Sequence, residues 1–232
     1  MLKCENLTRS FGARKAVDRV TMALEPGHVY ALLGPNGSGK TTWMKMAAGL
    51  MKPSSGEIAF QGAPIGVASR AKIAYMSTEP YFYPWMTVGS AGRYYEDFFP
   101  DFSSDRYREL LARMELTEEM KTRVLSSGMA AKLKIALTMA RNASVYMLDE
   151  PFNGIDLLAR DQIRTCILEE ARPEKLLILS SHLVEEMEAI ADRVIFIREG
   201  KLIEIRDLEE MRETSGVSMA DRYREIYGHV EG

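Results

Sequence analysis

Cysteine is scarce in this chain: there are 2, Cys4 and Cys166. Far apart and without other ligands at metal-binding spacing, they read as reduced thiols and exclude a disulfide scaffold. Long hydrophobic runs are missing as well. The longest stretch free of charge runs from Pro26 to Gly39, too short and too rich in glycine to span a bilayer. No secretory leader is expected, because Glu5, Arg9 and Arg14 interrupt any apolar run at the start. The expectation is a soluble, cytosolic chain. Neither sign of charge dominates: 30 Lys and Arg against 33 Asp and Glu leave −3, with a pI near 5.8. Without a basic footprint, nucleic acid is not expected as a main partner.

What the chain does have is size and one organised stretch. At 232 residues with 46% hydrophobic content, it can bury one large core or two small ones, and one α/β domain with an insertion is the simplest arrangement. An apolar run, Ala31-Leu32-Leu33, leads into Gly34-Pro35-Asn36-Gly37-Ser38-Gly39 and straight on into Lys40-Thr41-Thr42. The three glycines let the backbone turn without a Cβ, so that successive N–H groups point inward at an anion. A helix opening near Lys40 adds its positive N-terminal end. In such a phosphate-binding loop Lys40 reaches the β- and γ-phosphates of a nucleotide, and the Thr41 hydroxyl ligates Mg²⁺.

From the start of the chain, Leu2 to Leu7 alternates as an edge strand would, Ser10-Phe11-Gly12 makes a turn, and Val17 to Leu24 resumes the alternation. Phe11 at the tip is either an exposed ring that stacks on adenine, worth about 1–3 kcal/mol by analogy with base stacking, or a small core aromatic under the turn. Pro26-Gly27 turns the chain into a strand over His28 to Leu33. A helix is expected over Thr42 to Leu50, stopped by Gly49 and Lys52-Pro53-Ser54-Ser55-Gly56. A hairpin of Glu57 to Phe60 with Ala63 to Ile65 follows, then a strand over Lys72 to Met76. Aromatics then crowd together: Tyr81, Phe82, Tyr83, Trp85, Tyr94, Tyr95, Phe98, Phe99 and Phe102. They build either the core of an inserted helical subdomain or a docking surface, and the two uses can share residues.

Helices are expected over Arg106 to Met114, Thr117 to Val124 and Met129 to Arg141, the last with an apolar stripe at Met129, Leu133, Leu137 and Ala140. The Ser126-Ser127-Gly128 turn before it is either a second anion-ready helix end or an ordinary serine cap. Val145 to Leu148 reads as a buried parallel strand running into Asp149-Glu150-Pro151. Acids there are costly unless they meet a metal or a nucleophile; Asp149 suits Mg²⁺ and Glu150 an attacking water. A further apolar strand, Leu176 to Leu179, ends in Ser180-Ser181-His182. His182 either bonds near a γ-phosphate and positions the water, or caps a helix. The tail from Asp207 to Gly232 is rich in charge, with a helical pattern around Met219 to Tyr227, and is either a dimer contact or a solvated cap.

In order and spacing, the loop from Gly34 to Thr42, the turn Leu125-Ser126-Ser127-Gly128-Met129, the acids Asp149-Glu150, the run Asn153-Gly154-Ile155-Asp156 and His182 resemble ATP-binding cassette (ABC) nucleotide-binding subunits. The resemblance covers nearly the whole chain, from Leu2 to about Gly200. It implies an α/β P-loop NTPase core with a mixed, largely parallel sheet, an N-terminal antiparallel β subdomain and an inserted α-helical subdomain. A single domain, 1–232, would comprise an α/β core over 1–82 and 141–206, a helical subdomain over 83–140 and a helical tail over 207–232. Implied cofactors are ATP and Mg²⁺. Phe11 would lie against adenine and Gly34, Pro35, Asn36, Gly37, Ser38, Gly39, Lys40, Thr41 and Thr42 around the phosphates. Thr41 and Asp149 would hold the metal, and Lys40, Glu150 and His182 would act in catalysis. Two subunits, identical or not, would close head to tail so that Ser126 and Gly128 of one meet the ATP on the other's loop, with Asp156 linking the two sites.

The partner implied by the resemblance is a separate membrane-spanning permease subunit, which would hold the chain on the inner face of the cell membrane. The narrower likeness is to bacterial exporter subunits of the antibiotic-resistance type. The alternative is a non-transport ABC ATPase that works as a nucleotide switch or sensor. Such relatives generally carry a long coiled-coil insertion or a second cassette, which 232 residues do not hold. Two places depart from the family pattern. Ser127 and Met129 replace the first Gly and the Gln of the usual Leu-Ser-Gly-Gly-Gln turn, and Thr78-Glu79 stands where a glutamine is usual. Ser127 adds a side chain where backbone is expected to approach the γ-phosphate, which predicts reduced affinity or rate.

Overall fold

Strands that are apolar on both faces set the architecture. A computed structural model describes residues 1–79 and 82–228. In chain order its elements are β1 (Leu2–Phe11), β2 (Arg14–Leu24), β3 (Val29–Leu33), α1 (Lys40–Ala47), β4 (Ser55–Phe60), β5 (Ala63–Pro64), α2 (Val67–Arg70), β6 (Ile73–Met76), α3 (Val88–Phe98), α4 (Ser104–Arg113) and α5 (Ser127–Met139). They continue as β7 (Val145–Asp149), α6 (Leu157–Glu169), β8 (Leu176–Ser181), α7 (Val184–Glu188), β9 (Arg193–Arg198), β10 (Lys201–Asp207), α8 (Leu208–Ser215) and α9 (Met219–Tyr227). One sheet has the order β10-β9-β3-β8-β7-β6, parallel from β9 to β6, with β10 antiparallel at its edge. The other, β2-β1-β4-β5, is antiparallel. This is the α/β arrangement expected, with its N-terminal antiparallel sheet.

Successive side chains of a strand point to opposite faces, and in the large sheet that alternation divides the apolar residues between two cores. Val29, Ala31 and Leu33 of β3, Tyr146 and Leu148 of β7, and Leu177 and Leu179 of β8 join a core shared with α3, α4, α5 and α6. Tyr30, Leu32, Val145, Met147, Leu176 and Ile178 face the other way, toward β1, β2 and β4. Helix α1 lies in that second core through Trp43, Met44 and Met46, each at most 1% exposed. Burying one large apolar side chain contributes roughly 1.5–3 kcal/mol, so the helix that carries Lys40 is firmly anchored between the sheets.

Several elements differ from expectation. β1 is not an edge strand, since it pairs with β2 on one side and β4 on the other. Residues 117–124 do not form a helix; only Thr122–Val124 makes a single 3-10 turn. The backbone there is committed elsewhere: Val88 N–H donates to Met120 O, Gly89 N–H to Glu118 O, and Thr122 N–H to Met86 O. α1 begins at Lys40 and ends at Ala47, earlier at both ends than expected. α5 likewise opens at Ser127, with Ser126 as its cap. Its expected stripe holds, with Leu133, Leu137 and Ala140 buried and Met129 packed partly against the core.

The aromatic cluster divides between rings packed inward and rings left exposed. Tyr95, Phe99 and Phe102 pack together and onto buried Tyr107, whereas Tyr83, Trp85, Tyr94 and Phe98 are exposed. Tyr81 lies outside the described residues. The tail forms α8 and α9 and returns to the core: Met219 is fully buried, and the Tyr227 hydroxyl donates to Ile197 O at 2.9 Å and Leu33 O at 3.2 Å. Its last residues, 229–232, lie outside the described range. Cys4 and Cys166 are buried free thiols, pushed up in pKa by burial. No helix among the described residues is long and apolar enough to cross a membrane.

Candidate functional site

The phosphate-type loop hangs between the end of β3 and the start of α1, and its glycines are required by contact as well as by conformation. A Cβ on Gly34 would stand 2.3 Å from Ile197 O and 2.6 Å from Ser38 Oγ. Gly39 has φ +109, and a Cβ there would stand 2.3 Å from Ala16 O. Gly39 is also the N-cap of α1 and offers no side chain to the helix's first N–H groups. Those donors face outward with the positive end of the helix dipole, which suits an anion.

Lys40 is buried, with Nζ donating to Gly34 O at 2.6 Å and Pro35 O at 3.4 Å. Burial pushes its ammonium pKa down, while the nearby carboxylates of Glu150 and Asp149 pull it up. Glu150 Oε1 stands 3.8 Å from Lys40 Nζ, and Glu150 Oε2 lies 2.9 Å from His182 Nδ1. Glu150 follows β7 in a left-handed conformation, φ +52, held by its N–H on Ser180 O and Ser180 Oγ. Such a conformation is unfavourable for a residue with a Cβ and turns the chain out of the sheet edge. His182 does not cap α7, whose N-cap is Leu183 and whose first turn has no side-chain cap.

These groups converge on a cavity of about 580 Å³, within the usual size of a ligand site. Its wall includes Phe11, residues 36–42, Thr78, Glu150, Asn153 and His182. Phe11 is 48% exposed there and is not a core ring. Not every expected residue is on that wall. Gly34 lies beneath it, and Pro35 borders the neighbouring cavity under α9. Asp149 is fully buried one layer back, accepting from Ser180 Oγ at 2.5 Å and Tyr75 Oη at 3.2 Å. Burial and the Asp149 charge push the Tyr75 phenol far up in pKa, so it stays a donor.

Ser126 and Gly128 are not on the wall either. Ser126 Oγ caps α5 by accepting from Met129 N–H at 3.2 Å. Ser127 Oγ donates to Gly154 O of the same chain, so the extra side chain is tied down onto its own neighbour. Gly128 lies in ordinary contact distance of Ile155 and Asp156, and Asp156 caps α6 through Ala159 N–H. Sequence reasoning missed Arg14, which borders the cavity and donates to Gly37 O at 3.2 Å, and Tyr75 as a holder of Asp149. Neither sits in a spacing pattern that marks it.

The residues present fit a nucleoside triphosphate with Mg²⁺. Ser38 Oγ is buried without a hydrogen-bond partner among the described residues, beside an uncapped helix end and a buried ammonium. Among those residues no group of three or more His, Cys, Asp or Glu could hold a metal by itself. Mg²⁺ needs none, since it binds through one or two carboxylates or hydroxyls together with phosphate oxygens and water.

Comparison with known proteins agrees with this geometry. The family model described as ABC transporter matches residues 17–153. The lantibiotic transport ATP-binding protein SrtF of Streptococcus pyogenes is 34% identical over 206 residues, covering 88% of this chain and 89% of the relative. Among solved structures, an ATP-binding subunit of an ABC transporter superposes with a TM-score of 0.86 at 26% identity, over 97% of this chain and 99% of that one. A cassette solved as a dimer in a post-hydrolysis state with ADP and Pi shares the fold, with a TM-score of 0.80 at 21% identity over 90% of this chain and 99% of that one. The loop, the strand-end acids and the matches together make this chain a member of the ABC transporter family, an ATP-binding and ATP-hydrolysing transporter subunit.

Proposed function

We propose that this chain closes on a second copy of itself around two ATP molecules and so drives a separate membrane-spanning subunit. The observation that carries the reading is that the loop, Glu150 and His182 share one cavity while Ser126 and Gly128 lie off its wall. A second chain, related by a two-fold axis, brings its Ser126 turn to the open side of that cavity and receives the same in return.

In this reading Phe11 stacks on adenine, and the N–H groups of Asn36 to Thr42 with the Lys40 ammonium hold the phosphates. Lys40 leaves the Gly34 and Pro35 carbonyls for the stronger charge of the phosphate oxygens. Thr41 and Asp149 would hold Mg²⁺, which would supply positive charge beside the transferred phosphoryl group. Glu150 accepts a proton from the attacking water, and His182, already 2.9 Å from its carboxylate, orients it and faces the γ-phosphate. SrtF is named for lantibiotic transport, and export is the direction proposed here. The stacked pair Tyr83 and Trp85, rings 5.6 Å apart and both exposed, is proposed as part of the surface that docks on the membrane subunit at the inner face of the membrane.

The test uses Glu150→Gln. This variant is expected to bind MgATP, to hydrolyse it slower by roughly 10²–10⁴, the usual contribution of a general base, and to sediment as a dimer with ATP and as a monomer with ADP. A variant that stays monomeric with saturating ATP contradicts the proposal.

A further inference from the structure

Arg9 lies two residues before Phe11 on β1, so the two side chains leave the same face of the strand. The centre of its guanidinium stands 4.8 Å from the centroid of the Phe11 ring, within the distance at which a cation is attracted to an aromatic face. Arg9 Nη1 donates to Lys52 O at 2.9 Å, which ties the guanidinium to the segment after α1. Its Nε is buried and meets no acceptor, and no carboxylate pairs with Arg9, among the described residues. What the charge does have is the ring and one carbonyl. Phe11 borders the nucleotide cavity and Arg9 is not among its lining residues.

We infer that Arg9 is a positioning residue for nucleotide binding: it backs the Phe11 ring and leaves the opposite face free for a purine. The inference rests on the stacking role proposed for Phe11. A ring that is 48% exposed at the end of a strand has rotamer freedom, and a base that stacks on it must stop that motion. A ring already held from behind loses less on binding, which is how preorganisation raises affinity. Because Arg9 stands off the cavity wall, its charge acts on the ring and not on the phosphates. Its removal therefore weakens binding of a ligand with a base and leaves a ligand without one untouched.

The experiment measures calorimetric affinities of the full chain for ATP and for inorganic tripolyphosphate. Arg9→Met keeps the apolar stem and removes the guanidinium. It is expected to raise the ATP dissociation constant about twofold to fivefold, the range of a cation–π contact at an exposed site, and to leave tripolyphosphate binding unchanged. Arg9→Lys, which keeps a cation, recovers part of the loss. In a Phe11→Ala background Arg9→Met has no further effect. Parallel loss of ATP and tripolyphosphate, or additivity with Phe11→Ala, overturns the inference, because either result assigns Arg9 to general folding. So does an unchanged ATP affinity in Arg9→Met when Phe11→Ala is weakened. If Phe11→Ala itself binds ATP normally, the stacking reading fails first and takes the inference with it.

Discussion

Lys40 shows how a single side chain is prepared for an anion. Its ammonium is buried and satisfied by carbonyls of its own loop, and phosphate oxygens offer it a stronger partner. A hydrogen bond to a charged group contributes about 1.5–3 kcal/mol, so Lys40→Ala is expected to weaken ATP binding roughly 10- to 100-fold in calorimetry. The fold should survive, because Ala is the best helix former and the α1 anchors Trp43 and Met46 are untouched. An unchanged dissociation constant would remove Lys40 from the account. Lys40, Thr41 and Glu150, which the fold brings to one cavity wall, and Asp149 buried behind it, were legible as candidates from the loop pattern and the strand-end acids. Arg14 and Tyr75 were not. One touches Gly37 O and the other Asp149, but each is a lone residue brought in by the fold from a distant strand. Ser127 was legible only as a departure, since its Oγ bond to Gly154 O depends on how α5 meets the start of α6.

At the scale of elements, periodicity read α5 and α9 well and failed where the backbone had other partners. Leu116, Met120 and Val124 repeat as on a helix, yet the carbonyls of Glu118 and Met120 accept from Gly89 and Val88, and that cross-connection leaves no ladder to propagate. Alternation over β1 suggests an edge strand, yet β1 pairs on both sides, because a central antiparallel strand with one solvated face alternates in the same way. The aromatic run was readable only as an unresolved choice. Its inner members Tyr95 and Phe102 pack, partly buried, against the core with Phe99 beside Tyr95, while Trp85 is 73% exposed. Surface substitutions usually move stability by less than about 0.5 kcal/mol. Tyr83→Ser with Trp85→Ser should therefore leave the thermal midpoint of the isolated subunit nearly unchanged and lower the amount of membrane-spanning subunit recovered with it. Unfolding of the isolated variant would make the pair core, and normal recovery would place docking elsewhere.

The whole molecule joins two cores across one sheet, and the cavity opens at the carboxyl ends of β3, β7 and β8, where the loop, Glu150 and His182 emerge. Helix α9 closes the opposite side of the loop through Tyr227 on Leu33 O and Ile197 O. The Ser126 turn lies beside Gly154 and Asp156 and is not among the residues that line the chain's own cavity. In the proposed head-to-tail pair one ATP meets both helix ends. The most direct measurement adds Ser126→Arg to Glu150→Gln and follows sedimentation with saturating ATP, alongside ATP affinity of the monomer. The account predicts that Ser126→Arg abolishes the ATP-dependent dimer by steric block and leaves monomer affinity unchanged. An intact dimer in the double variant would show that the Ser126 turn does not act across a subunit boundary.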